Sequence, residues 1–259
     1  MAVTGWTGRV EGGVIRDWAE EWFTPFTYKF KVPSLFVDVG ANIGRTSVPI
    51  VTNTGAAHSV VAIEPVRSNL NFICQDLFFN AIPLGGAGAR YHLVAGAASA
   101  AWGEIQIHVP IGRGDNAAIS AEAAVKNVGG AAEAERITTF PLDDYLAQLR
   151  RHRAIPVGGL KGIKIDTQGH EYYVLKGLNH TLSTVKQLAI YAENDPGLMA
   201  AAGVNPSEMY AYMRGHGFKA YCYADVSVTT VDGQEVIAVS GNEEAGDSIH
   251  CGDMFWIKV

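Results

Sequence analysis

The feature that most constrains this chain is a set of seven short apolar runs, each rich in valine, isoleucine or leucine and aromatic residues. They read SLFVDVG (34–40), SVVAIEP (59–65), RYHLVAGAAS (90–99), LKGIKIDTQG (160–169), QLAIYAEND (187–195), FKAYCYA (218–224) and DMFWIKV (253–259). Runs apolar on both faces mark strands covered on both sides, which is the habit of a parallel sheet. Helical patterns occupy about 44–54, 67–79, 171–178 and 206–216, the last opening on Pro206 as a first-turn residue. Strand alternating with helix implies right-handed crossovers. The expected fold is α/β, a doubly wound, mostly parallel sheet of Rossmann-like type.

Two regions break the rhythm. Between the third and fourth runs lie a strand pattern at 103–109, a Gly/Ala-rich stretch at 112–134 and a strand-then-helix pattern at 136–146. A long insertion beside a sheet's carboxyl edge often serves as a lid. Near the end, Asp232-Gly233 between β-branched runs signals a hairpin. With 259 residues and no polar linker, the expected organisation is an amino-terminal helical and aromatic segment (1–33) before one domain (34–259) with an insertion at about 103–145. In the first segment Trp18 and Trp22 share one helical face, read as a packing stripe.

The net charge of −6 argues against nucleic acid as the main partner. No apolar stretch is long enough for a membrane span. Cys74, Cys222 and Cys251 are odd in number and lack metal-type spacing, so reduced thiols and a cytoplasmic location, or an organelle after transit-peptide removal, are the expectation.

The chemistry concentrates in DVGANIG. Gly40 and Gly44 permit a tight turn with close approach of a ligand, and helix amino-terminal NH groups follow. A dinucleotide fold would carry G-x-G-x-x-G. Here the pattern is D-x-G-x-N-x-G with Asp38 at the strand end, and a carboxylate there favours a positively charged ligand such as S-adenosylmethionine. The plainer reading is that Asp38 caps the turn while Asn42 is left-handed. Glu64 ends the next run before Pro65, where an acid in an α/β sheet accepts ribose hydroxyls; its plainer reading is a surface carboxylate.

With those residues in view, the chain resembles the FkbM-type methyltransferases, a branch of the class I S-adenosylmethionine-dependent enzymes. FVDVGANIGRTS resembles that family's first motif, AIEPVRSNLNFI its second, VAGAAS with Gly103 its third and IKIDTQGHEYYVLKGL its most diagnostic one, over roughly 34–259. The resemblance implies a seven-stranded sheet whose last strand is antiparallel. It also implies that Asp38, Gly40 and Asn42 surround the cofactor's methionine portion, Glu64 its ribose and Ala97 its adenine, with Ala41, Gly44, Pro65 and Asp166 completing the set. The chain departs from the family at Thr167-Gln168, where valine-glutamate is common, and at His170, where alanine is common.

Methyl transfer is an in-line displacement governed by positioning, and a hydroxyl acceptor also needs its proton taken. Asp166, His170 and Glu171 are the catalytic candidates, with His170 first as general base because it titrates near neutrality. The alternative roles are a helix-start histidine making a local hydrogen bond and a glutamate favoured by the helix macrodipole. Asp166, Glu193 and Asn194 also resemble the oxygen set of catechol-type enzymes; a divalent metal there is weighed but not expected. Lys161 and Lys164 read as flanking residues without a catalytic part. The expected function is O-methylation of a small-molecule or sugar hydroxyl, with oligomeric state open. The alternative is a non-catalytic nucleoside- or cofactor-binding protein on the same fold, and a nicotinamide oxidoreductase comes third.

Overall fold

The computed structural model describes residues 23, 25–52, 57–84, 89–111, 117–119, 121, 124, 130–222, 225–244 and 251–259. In chain order the first half comprises β1 (Leu35–Val39), α1 (Ser47–Thr52), β2 (Ser59–Glu64), α2 (Arg67–Phe79), β3 (Tyr91–Ala95), β4 (Ala97–Ala98), β5 (Gly103–Pro110), β6 (Ala132–Phe140) and α3 (Leu142–Arg151). The second half comprises β7 (Leu160–Ile165), α4 (Glu171–Lys176), α5 (Asn179–Thr184), β8 (Leu188–Glu193), α6 (Pro196–Ala201), α7 (Pro206–Gly215), β9 (Lys219–Tyr221), β10 (Asp225–Val231), β11 (Gln234–Ser240) and β12 (Asp253–Lys258). Trp18, Trp22 and most of the Gly/Ala-rich stretch lie outside the described residues.

All seven apolar runs contribute to one sheet in the order β3-β2-β1-β7-β8-β12-β9. Pairing is parallel from β3 through β8, and β12 runs antiparallel to both neighbours. The chain leaves β1 outward to β2 and β3, then returns to β7 on β1's other side. That reversal places the topological switch point between β1 and β7, where open α/β sheets bind ligands.

Strand alternation divides the core. Leu35, Val37 and Val39 of β1 face a cluster with Leu142, Leu146, Val174 and Met209, whereas Phe36 faces one with Phe23, Phe26, Phe30 and Ile50. Every residue of β1 and β2 is buried, so neither strand has a solvent face. Gly162 in β7 is required by this packing, because a Cβ there would lie 2.9–3.1 Å from the rings of Phe26, Phe23 and Phe36.

The insertion forms its own three-stranded sheet, β4-β6-β5, with β5 and β6 antiparallel. The hairpin at Asp232-Gly233 joins β10 to β11, both turn residues at positive φ (49° and 77°) as a type I′ turn requires. Three expectations need correction. The run at 90–99 is two strands broken at Gly96, because β4 turns away to pair with β6. The first helix starts only at Ser47, since residues 42–46 complete the glycine turn. Cys222 and Cys251 are joined as a disulfide, Cα atoms 5.5 Å apart, where reduced thiols were expected; β9 and β12 are paired neighbours and bring the two together. Among the described residues no helix is long and apolar enough to cross a membrane.

Candidate functional site

At the carboxyl edge over the switch point lies a cleft of about 700 Å³ counted to its open mouth, within the size range of cofactor pockets. Of the residues expected at the site, Gly40, Asn42, Glu64, Pro65, Ala97, Asp166 and His170 line it. Asp38, Ala41, Gly44, Glu171, Glu193 and Asn194 do not.

The turn after β1 is held from both sides. The amides of Gly40 and Ala41 both donate to the Ile63 carbonyl at 3.0 Å, and the Asp166 amide donates to the Val39 carbonyl. Gly40 sits at φ 75°, and a Cβ there would lie 1.9 Å from the Asp166 carbonyl oxygen, so only glycine lets β1 and β7 converge. Asn42 is left-handed at φ 52°, as the plainer reading of the string held.

Glu64 reaches the cleft from the end of β2, and its carboxylate is anchored by the protein. Oε2 accepts from the Asn42 amide at 2.8 Å, and Oε1 accepts from the Val66 amide at 2.9 Å and the Asn69 side chain at 3.1 Å. Two carboxylate oxygens offer about four acceptor positions, so capacity remains for a ligand hydroxyl. Burial pushes its carboxyl up to about 7, against the lowering effect of those same donors.

Asp38 is wholly buried beneath the cleft. Lys164, opposite it in the β1–β7 register, places its ammonium 3.6 Å from Asp38 and 3.4 Å from Asp166. The Asp38 carboxyl is still held above its ordinary range, because burial outweighs the lysine. Lys164, set aside in reading the sequence, is the cation that answers the acid of the opening motif. The available signal was a lysine between isoleucines in a strand apolar on both faces.

The loop after β7 is shaped by Glu171. Its Oε1 accepts from the Thr167 amide (2.9 Å), the Thr167 hydroxyl (3.0 Å) and the Gly169 amide (3.2 Å). Burial raises its carboxyl to about 7. Gln168, left-handed at φ 54°, directs its amide nitrogen to both Asp166 and Glu193 at 3.1 Å each. Burial first, then the Asp166 charge, pushes Glu193 up to about 9, so it carries a proton at neutral pH.

Asn194 is committed elsewhere. Its side chain accepts from the Tyr210 hydroxyl at 2.6 Å and donates to the Cys251 carbonyl at 2.7 Å. With Asn194 turned away and an amide donor between the two acids, these residues do not fit a divalent ion. Among the described residues no group of three or more His, Cys, Asp or Glu side chains is arranged to hold a metal.

His170 opens α4 and borders the cleft, nearly buried. Its Nε2 lies 3.0 Å from the Ser99 hydroxyl, its ring stacks on Tyr173 at 4.8 Å, and Nδ1 has no hydrogen-bond partner among the described residues. Burial lowers its pKa to about 4, so the ring is neutral near pH 7. The alternative role gave this ring a local hydrogen bond, and the one it makes reaches a residue 71 positions away.

An open, mostly parallel sheet with a cleft at the switch point, a glycine turn on one wall and a strand-end acid beside it defines a Rossmann-like fold. The methyltransferase FkbM domain matches residues 38–220, and the chain belongs to that family of methyltransferases. No curated protein matches it. Among solved structures it is similar to a methyltransferase FkbM from Methylobacillus flagellatus KT (17% identity, TM-score 0.47, 93% of this chain and 48% of that one). It thus spans about half the length of that relative. It is also similar to a precorrin-6y C5,15-methyltransferase from Geobacter metallireducens GS-15 (10%, TM-score 0.44, 98% and 93%) and to M. jannaschii TYW2 in complex with AdoMet (12%, TM-score 0.40, 94% and 77%).

Proposed function

We propose that the chain transfers a methyl group from S-adenosylmethionine to a hydroxyl oxygen of a small molecule or sugar. The observation that carries this reading is the anchored Glu64 carboxylate in the cleft wall, next to Gly40 and Asn42 and across from Asp166 and His170. The residues fit the cofactor. A buried acid with an acceptor position left suits a ribose hydroxyl, and the acids Asp38 and Asp166 on either side of the Lys164 ammonium, with Glu64 in the cleft wall, favour a ligand of positive charge. When bound, the cofactor supplies an electrophilic methyl group on a sulfonium.

The chain's own residues then divide the work. Glu64 holds the diol, the Gly40–Gly44 turn admits the methionine portion, and Ala97 faces the adenine. His170 accepts the acceptor's proton through a ring kept neutral by burial. Glu171 acts through the loop it braces and is a positioning residue. Gln168 borders the cleft and supplies a hydrogen-bonding group of the kind that orients a hydroxyl-bearing acceptor, with Glu193 behind it holding its amide. No metal has a part, and no nucleic acid is expected as acceptor.

Calorimetric titration with S-adenosylmethionine and S-adenosylhomocysteine tests the cofactor, with Glu64→Gln expected to weaken both at least tenfold. Absence of binding to the parent protein would sink the reading. Binding without methylation of any hydroxyl compound, across a panel of sugars and phenols, would favour the non-catalytic alternative.

A further inference from the structure

A second cavity, about 1260 Å³ counted to its open mouth, lies at the opposite edge of the sheet. Ser59, where β2 begins, lines it, whereas Glu64, where β2 ends, lines the cleft. Five strand steps at ~3.3 Å separate the two by about 16 Å. The two cavities share no lining residue, so the methyl-transfer reading makes no use of this region.

The charge of this cavity is one-sided. Among the described residues its titratable lining is Arg90, His92, Tyr145, His152 and Arg153, with no carboxylate. Neither arginine side chain has an ion pair or hydrogen bond among the described residues. The Arg90 backbone is fixed by its carbonyl, which accepts from the Val60 amide at 2.7 Å. Two unpaired guanidiniums in one concavity suit the planar, bidentate recognition of a phosphate.

Arg153 supplies an independent observation. It follows α3 at φ 53°, with its own amide donating to Arg150 and the Ala154 amide donating to Leu149. This is the left-handed position that ends a helix, where glycine is usual because it adopts the conformation without strain. The helix's carboxyl-terminal dipole is already answered by Arg150 and Arg151 in the last turn, so it does not require Arg153. A long cationic side chain stands where the backbone favours glycine, and it lines the cavity.

The remaining lining includes the Tyr145 ring, Leu149, Ile155 and Pro156, an apolar wall beside the cations. A cavity many times the ~30 Å³ of a water molecule is also far larger than a lone phosphate needs. We propose that this cavity binds an organic phosphate, the phosphate gripped by Arg90 and Arg153 and the apolar or aromatic body resting against Tyr145 and Ile155.

The test titrates the full chain with phenyl phosphate, inorganic phosphate and phenol by calorimetry, and repeats the first titration on Arg153→Gly and Arg90→Gln. Phenyl phosphate is expected to bind more tightly than inorganic phosphate, with phenol not binding and each variant at least tenfold weaker. Arg153→Gly is expected to melt at or above the parent's temperature, because glycine suits the helix end. That separates a binding role from a structural one. The proposal is overturned if the parent does not bind phenyl phosphate, if phenol binds equally well, or if Arg153→Gly binds as the parent does. A lowered melting temperature in Arg153→Gly would also overturn it, by showing that the side chain serves the fold.

Discussion

The Lys164 ammonium lies 3.6 Å from the Asp38 carboxylate, and both side chains are almost entirely out of water. The pair is a cross-strand contact fixed by the β1–β7 register, so strand pairing places it before any ligand arrives. Removing one partner of a buried pair leaves an uncompensated charge, at about 3–5 kcal/mol. Lys164→Met is therefore expected to lower unfolding free energy by about 3 kcal/mol. Adding Asp38→Asn should restore part of that loss, because no charge then remains buried. Urea denaturation of the two variants and the parent measures this, and a double variant no more stable than Lys164→Met would refute it.

Glu171 satisfies three donors of residues 167–169 through one oxygen. Glu171→Ala leaves them without an acceptor in a buried loop, and should destabilise the fold by about 2–3 kcal/mol. Glu171→Gln keeps a carbonyl oxygen in place and should lose only about 1 kcal/mol. Because Asp166, Gln168 and His170 sit on the same loop, the alanine variant should also raise KM for the acceptor more than it changes cofactor affinity. Equal stability of the two variants would show that the acceptor oxygen is not what matters.

How much of this could be read from the sequence follows from what each residue touches. Strands buried on both faces announce themselves, and all seven runs fell into the sheet. The α2 pattern matched its helix at Arg67–Phe79 because periodicity persists over 13 residues. Glu64 and Asn42 were legible because strand, turn and helix fix them locally. Gln168 was not, since its bridge needs Glu193, 25 residues away on another strand. The partners of Lys164 were not legible, because they lie across a register that spacing alone does not set. The disulfide escaped for the same reason, its cysteines being 29 residues apart at the ends of two neighbouring strands.

Glu193 gives a pH signature for stability. Its carboxyl rises from an ordinary 4.5 to about 9 in the folded protein, chiefly through burial. A group raised in this way holds a proton that the unfolded chain releases, so its contribution is full below pH 4.5 and is lost as pH climbs toward 9. The loss should approach roughly 1 kcal/mol per pH unit within that window. Glu193→Gln cannot ionise and should decline less between pH 7 and 9, overtaking the parent there. Glu64 and Glu171, both raised to about 7, add the same decline between pH 4.5 and 7 in either protein. Parallel pH–stability curves for the two proteins would contradict this account.

Cofactor affinity should carry its own titration. Glu64 accepts hydroxyl protons best when ionised, and its carboxyl sits at about 7. Affinity for S-adenosylhomocysteine is expected to rise from pH 6 to pH 8, and the rise should vanish in Glu64→Gln. Calorimetry at the two pH values measures both, and a pH-independent parent would remove Glu64 from the diol.

His170 separates proton transfer from binding. A ring with its pKa lowered to about 4 is fully available as a base near neutrality, but it is a weak one, so its contribution belongs at the low end of the general-base range, about 10²-fold. His170→Gln should reduce kcat by that amount while leaving cofactor affinity within about twofold, since the cofactor is held from the opposite wall of the cleft. The sign of the pH dependence follows from the direction of the shift. Protonation disables the base only below about pH 5, so kcat should stay level from pH 6 to 8, and a break near 4 in the parent should be absent in the variant. Ser99→Ala removes the hydroxyl 3.0 Å from Nε2 and should shift that break without abolishing it, because the ring stays clamped by Tyr173. A parent profile that breaks near 6.5 instead would mean that the ring is solvated during turnover, and a variant with undiminished kcat would pass the role of base to Asp166.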